Sequence, residues 1–174
     1  MYASGLLIRI RHDLDTLSGY IARIEQERLA KREDPPGIPA YLGEYNYATY
    51  TEIRYRASIE PDFPLDPRIV KECEEALDRY LETYAPGQPD LKRYVTALSL
   101  YLIFIAHRPL HPPDVPFSDH IRIVKRGTWY YCTGKRRYRD DPLSLCCFCV
   151  CRAEEEPVQS TGPAVQPAPY GRIR

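Results

Sequence analysis

The chain has 174 residues, of which 44% are hydrophobic and 28% charged, and its basic and acidic side chains balance at a net charge of zero. This length suffices for one domain with a hydrophobic core, and the composition is typical of a soluble globular protein. The zero net charge excludes nucleic-acid binding through the overall charge of the molecule. Arg9 and Arg11 interrupt the N-terminal apolar run, and the longest apolar run, residues 98–106, is too short to span a membrane. We therefore expect a soluble, cytoplasmic protein with no membrane partner.

The N-terminal third of the chain predicts two helices. Residues 4–33 carry apolar side chains at steps of three and four residues, which is typical of one long amphipathic helix. The proline-rich segment 33–39 ends this helix. Residues 41–59 fit both the alternation of a strand and the face of a helix. Because no hairpin turn is present and the neighbouring segments look helical, we predict a helix.

Two further helices are predicted in the middle of the chain. Asp66 and Pro67 form an N-cap followed by a proline at the first helical position, and regular apolar spacing continues from there. Asp90 is predicted to cap a fourth helix that runs to about His107 and becomes apolar on nearly all sides toward its end. A helix of that kind is the central, most buried member of a bundle.

The pattern changes after the fourth helix. Residues 121–132 alternate around a glycine turn and predict a short β-hairpin. From residue 152 the chain is rich in Pro, Gly and polar residues and lacks periodicity, which indicates a disordered tail. We therefore predict a mainly α fold with three parts: a bundle of about four helices over residues 1–107, a Cys/His metal-binding module with a small hairpin and a cysteine knuckle packed on it over residues 108–151, and a disordered tail over residues 152–174.

Five of the six cysteines lie between residues 132 and 151. In a reducing cytoplasm, such clustering favours metal binding or redox chemistry over structural disulfides. A C-x-x-C spacing lets two thiolates converge on one ion, and tetrahedral zinc takes four thiolate or imidazole ligands. We predict a Cys3His zinc site formed by His111, Cys132, Cys146 and Cys149, with Cys147, Cys151 and His120 as alternates. An iron–sulfur cluster uses the same thiolates, and thiol redox chemistry or inert packing are the remaining alternatives.

Basic side chains cluster beside the cysteines. Residues 121–140 contain one acidic residue and seven basic ones, namely Arg122, Lys125, Arg126, Lys135, Arg136, Arg137 and Arg139. Nearby cations favour the thiolate form of cysteine and so assist ligation. With the interleaved Trp129 and tyrosines, these cations could also contact a phosphate backbone. We rank this use below a solvated basic face that contacts no ligand.

The order of motifs over residues 101–150 matches a known pattern. An apolar helix leads into Leu110-His111-Pro112, and then come Pro116-Phe117, Tyr130-Tyr131-Cys132, and Cys146 with Phe148-Cys149. This order resembles an archaeal family, found chiefly in methanogens, that is called domain of unknown function 2115 or uncharacterised protein family 0305. The resemblance supports the same four ligand positions and implies no particular activity.

Three classes of function follow from the sequence. The first is a binding or adaptor module with a structural zinc site and a protein partner. The second is a nucleic-acid binder that uses the basic hairpin of residues 121–140. The third is an iron–sulfur protein, a thiol redox protein or another enzyme. We rank an enzyme below a binding module, because the sequence contains no paired carboxylates, nucleophile elbow or phosphate loop in a recognisable context.

Overall fold

The computed structural model describes residues 1–30, 37–113, 115 and 121–154. In these ranges the chain is mainly helical, with one small sheet near the C-terminal end. The helices are α1 (Ala3–Asp15), α2 (Ser18–Ala30), α3 (Ile38–Tyr55), α4 (Pro67–Tyr84), α5 (Pro89–Phe104) and α6 (Lys135–Tyr138), and the strands are β1 (Ile123–Arg126), β2 (Trp129–Cys132) and β3 (Arg152–Ala153). The mainly helical fold and the hairpin are confirmed.

The long N-terminal helix of the prediction is two helices. The hydroxyl of Thr16 donates a hydrogen bond to the carbonyl of Asp13 at 2.6 Å, and the guanidinium of Arg93 donates to the same hydroxyl at 2.6 Å. A side chain that hydrogen-bonds to nearby backbone competes with the backbone hydrogen bonds of a helix. The apolar spacing continues across this break, since Leu17 and Ile21 are buried beyond it. The sequence pattern alone therefore does not reveal where the helix is interrupted.

The third and fourth predicted helices are confirmed as α4 and α5. Asp66 is the N-cap of α4, and its carboxylate accepts a hydrogen bond from the amide of Arg68 at 2.9 Å. For α5 the expected cap is wrong by two residues, since Gln88 is the N-cap and Asp90 lies in the first turn. The ambiguous segment 41–59 is helical through Tyr55, as α3.

Helix α5 is the centre of the hydrophobic core, as its apolar surface predicts. It packs against α1, α3 and α4. Its buried residues are Tyr94, Ala97, Leu98, Ser99, Leu100, Tyr101, Leu102 and Ile103. Helices α1, α3 and α4 therefore present an apolar face to α5 and a charged face to water.

A polar network joins α3 to the C-terminal half of α5. The hydroxyl of Tyr101, a residue with 0% exposure, donates to the carboxylate of Glu52 at 2.6 Å and accepts from the guanidinium of Arg56 at 3.0 Å. Arg108, four residues beyond the end of α5, also pairs with Glu52. Because the buried hydroxyl has partners for both of its roles, the network holds the end of α5 in one orientation.

The sheet has the strand order β1-β2-β3. β1 and β2 are antiparallel, with Ile123 opposite Cys132, and Gly127 in the connecting turn has a φ of 60°. β3 pairs in parallel with β2, with Arg152 opposite Tyr131. Arg152 and Ala153 therefore belong to the sheet, although the sequence placed them in the disordered tail. Residues 155–174 of that predicted tail lie outside the described residues.

Among the helices described, none combines the length and the apolar character needed to cross a membrane.

Candidate functional site

The inner face of the sheet gathers cysteines around a small apolar cluster. Ile123, Cys132 and Cys151 are 1%, 8% and 4% exposed, and the half-buried Cys149 packs against them. Strand alternation directs Cys132 to the same face as its partner Ile123. Cys151 comes directly before β3, so the pairing of β3 with β2 carries Cys151 to this face as well.

The turn after β2 directs backbone amides at the sulfur of Cys132. The amides of Gly134 and Lys135 both donate hydrogen bonds to this sulfur. A side chain on Gly134 would meet Ile121 at 3.3 Å, so the close packing of this turn favours glycine. Burial raises the pKa of the Cys132 thiol, and the two amides act in the opposite direction because they stabilise the thiolate.

The sulfur of Cys149 accepts hydrogen bonds from three donors. These are the thiol of Cys151, the backbone amide of Cys151 and the backbone amide of Leu110. The bond from the Cys151 thiol is the largest of the causes that lower the pKa of Cys149 to about 6, and the charge of Lys135 adds to it. The pKa of Cys151 is raised, because its proton is held in the bond to Cys149 and its thiol is buried. The contact therefore favours the thiolate on Cys149 and the protonated thiol on Cys151.

Lys135 faces the cysteine loop rather than the solvent. Its ammonium donates a hydrogen bond to the backbone carbonyl of Cys149 at 2.7 Å and another to the carbonyl of Cys146. The sequence assigned Lys135 to the basic group that could contact phosphate. In the structure, Lys135 is instead half-buried inside the module, where its ammonium bonds to two backbone carbonyls of the loop.

The other predicted ligands occupy different surroundings. Cys146 is half-buried and within electrostatic reach of the Cys132 thiol. Cys147 is exposed and lines a cleft of about 350 Å³ between α4 and the loop, and it is within electrostatic reach of the buried Cys73 of α4. His111 is an exposed residue directly after Leu110, and His120 lies outside the described residues.

Cys132, Cys149 and Cys151 pack together, but within the described ranges they do not form a metal-binding group. Over the ranges that the structure describes, no group of three or more His, Cys, Asp and Glu side chains is arranged to hold a metal ion. All six cysteines are free thiols. The structure thus brings Cys132, Cys149 and Cys151 to one cluster, while the sequence had placed Cys151 among the alternates.

The remaining basic candidates are exposed around the sheet and α6. Arg122, Lys125, Arg126, Arg136, Arg137 and Arg139 all have exposed side chains. Several lie over aromatic rings: Lys125 is 5.6 Å from the ring centre of Tyr130, and Arg137 is 5.3 Å from that of Tyr138. Arg126 also pairs with Glu154. None of these six side chains belongs to the cysteine cluster.

Comparison with known proteins identifies the family. Residues 11–154 match the model of the family described as "Uncharacterized protein conserved in archaea (DUF2115)", and the chain belongs to this family. It is 31% identical to a UPF0305 protein of Methanocaldococcus jannaschii over 90% of this chain and 99% of that protein. It is also 31% identical to a UPF0305 protein of Methanopyrus kandleri over 64% of this chain and 78% of that protein. No solved structure matches the chain.

Proposed function

We propose that the C-terminal module binds one zinc ion through cysteine thiolates and that the ion has a structural role in a binding module. The observation that carries this proposal is the set of backbone amides aimed at two sulfurs. Gly134 and Lys135 donate to Cys132, and Leu110 and Cys151 donate to Cys149. Hydrogen bonds of this kind favour thiolate over thiol, and thiolate is the form that binds metals.

The ligand set of this proposal combines sequence and structure. Cys132 and Cys149 are two of the ligands predicted from the spacing, and Cys151 joins them because its thiol contacts Cys149. The fourth position belongs to Cys146 or His111. Zinc would displace the proton of the Cys151 thiol, since thiols must lose their protons before they bind a metal.

The proposed ion would fasten the module to the helical bundle. Among the described residues, the module's own apolar cluster contains a single buried aliphatic side chain, that of Ile123. Leu110 belongs to the loop that follows α5, and its amide already meets the sulfur of Cys149. The hydroxyl of Tyr45, on α3, donates to the carbonyl of Pro109 at 2.7 Å in the same loop. An ion at these sulfurs would link the sheet, the cysteine loop and the bundle, and metal binding of this kind contributes directly to folding.

The proposal is tested by metal analysis of protein purified without oxygen. We expect zinc in the unaltered chain, and its loss from Cys132→Ser and Cys149→Ser together with a lower melting temperature. Cys147→Ser is the matched control, because this exposed cysteine lies in the same loop and outside the cluster. Unchanged metal content and melting temperature in both ligand variants would contradict the proposal.

Thiol chemistry is a second candidate, and the contact between Cys149 and Cys151 favours it. With a small-molecule disulfide as oxidant, the Cys149 thiolate would attack one sulfur and release a thiol. Cys151 would then attack the mixed disulfide and release the second thiol, leaving an internal disulfide. Colourless protein with bound zinc favours the structural site, brown protein with iron and sulfide favours a cluster, and metal-free protein that forms this disulfide favours exchange.

A further inference from the structure

The outer face of the sheet carries aromatic and cationic side chains together. Successive side chains of a strand point to opposite faces, and Ile123 occupies the buried inner face. The register pairs Val124 with Tyr131 and Arg126 with Trp129. These four side chains therefore share the face that is turned away from the cysteine cluster.

The third strand adds another arginine to this outer face. The parallel register places Arg152 beside Tyr131. The guanidinium of Arg152 lies 3.5 Å from the ring centre of Trp129, and that of Arg126 lies 5.3 Å from the ring centre of Tyr131. Each ring of the outer face thus has an arginine stacked on it, and cation–π contacts keep both groups in place.

The outer face is exposed and positively charged. Trp129 is 51% exposed. Arg122 precedes the buried Ile123, so strand alternation directs it outward as well. Three arginines therefore share this face with one carboxylate, that of Glu154, which pairs with Arg126 and has a side chain only 10% exposed.

We propose that the outer face of the sheet binds single-stranded nucleic acid, with bases stacking on the rings and their arginines and phosphates contacting Arg122 and Arg152. Aromatic rings and guanidinium planes are the surfaces on which unpaired bases stack, and arginines beside them attract the backbone. This role is separate from the proposed metal site, which lies on the opposite face of the same strands.

The geometry favours single strands over duplexes and over acidic proteins. Bases in a duplex are already stacked on one another, so Trp129 and Tyr131 gain contact area only with unpaired bases. An acidic peptide would pair with the arginines but would leave the exposed indole unused. The structure also changes the membership of the basic group predicted from the sequence. Lys135 faces inward, whereas Arg152, which was not in that group, lies on the outer face over Trp129.

The test uses the full chain and two oligonucleotides of about 12 nucleotides, oligouridylate and oligothymidylate, a length within the range bound by one small sheet domain. Trp129 is the only tryptophan of the chain, so stacking on it is expected to quench the intrinsic fluorescence. In anisotropy titrations, Trp129→Leu is expected to weaken binding about fivefold or more. Arg152→Ala is expected to reduce the slope of log affinity against log salt by about 0.7.

Two control variants remove similar side chains from the helical bundle. Tyr55→Leu removes an aromatic ring that is 84% exposed on α3, and Arg23→Ala removes an arginine stacked 5.2 Å from the ring centre of Tyr20. Both are expected to bind like the unaltered chain. If Trp129→Leu disturbs the fold, as judged by its melting curve, Arg152→Ala still tests the surface, because Arg152 is exposed and lies outside the core.

Equal binding of the two oligonucleotides supports recognition through bases and phosphates alone, and tighter binding of oligouridylate supports an added contact to the ribose hydroxyl. The proposal is overturned if neither oligonucleotide changes fluorescence or anisotropy at low salt. It is also overturned if a duplex or polyglutamate of equal charge competes as well as the single strand does, since charge alone would then account for binding.

Discussion

Replacing Lys135 by methionine tests the internal role of this lysine in the module. Methionine keeps a flexible apolar stem and removes the ammonium that donates to the carbonyls of Cys146 and Cys149. A hydrogen bond from a charged donor contributes about 1.5–3 kcal/mol in a buried setting. Lys135 is half-buried, so water replaces part of what is lost, and we expect the free energy of unfolding of the module to fall by about 2 kcal/mol.

The position of Trp129 allows this change to be measured in the module itself. Its fluorescence reports on β2, whereas circular dichroism reports mainly on the bundle. With a typical urea dependence, a loss of about 2 kcal/mol moves the fluorescence midpoint down by about 1 M. If the module binds zinc as proposed, its zinc affinity should fall as well, because the charge of Lys135 helps to keep the pKa of Cys149 low.

Lys125→Met is the matched control for this experiment. Lys125 is exposed on β1, and its ammonium lies over the ring of Tyr130 at 5.6 Å. An exposed contact of this type contributes about 0.5–1 kcal/mol, so its loss should shift the midpoint less. Equal midpoints for Lys135→Met and Lys125→Met would refute the internal role assigned to Lys135.

Two further outcomes are expected from the buried tyrosine and from the low pKa of Cys149. Tyr101→Phe removes the hydroxyl bonded to the half-exposed Glu52. The free energy of unfolding of the bundle, measured by circular dichroism in denaturant, should fall by about 1–2 kcal/mol. An unchanged denaturation curve would contradict the role given to the polar network. In metal-free protein, Cys149 is the thiolate above its pKa of about 6 and the thiol below it, so its alkylation by iodoacetamide should slow as the pH falls through about 6. Cys73, whose pKa burial raises to about 12, should remain unreactive throughout, and a Cys149 rate independent of pH across this range would contradict the assigned donors.

The helices were predictable where one local pattern determines them. Asp66 and Pro67 mark the start of α4 through chemistry confined to a few residues. The break between α1 and α2 was not, because buried apolar residues continue across it and the contact of Thr16 with Arg93 joins residues 77 apart in the chain. The same limit applies to β3, since its two residues pair with β2 across the whole cysteine loop.

The clustering of cysteines in one segment was visible in the sequence, but which of them pack together was not. The concentration of cysteines identified the segment, and the C-x-x-C spacing predicted Cys146 and Cys149 as ligands. The inclusion of Cys151 depends on the parallel pairing of β3, which no local pattern reports. The half-buried position of Lys135 could not be predicted either, because its neighbours Arg136 and Arg137 carry the same charge and are exposed. The outer face of the sheet could have been predicted from the alternation of side chains along β1 and β2.

Titration of the metal-free chain with cobalt tests the proposed thiolate site most directly, because cobalt adopts the tetrahedral geometry of zinc and its spectrum reports sulfur ligands. With the six free thiols kept reduced, we expect intense sulfur-to-cobalt absorption that saturates at about one ion per chain and disappears when zinc is added. Cys147→Ser should show the same spectrum, and Cys149→Ser should lose it. A fully reduced chain that develops no sulfur-to-cobalt absorption would contradict the account.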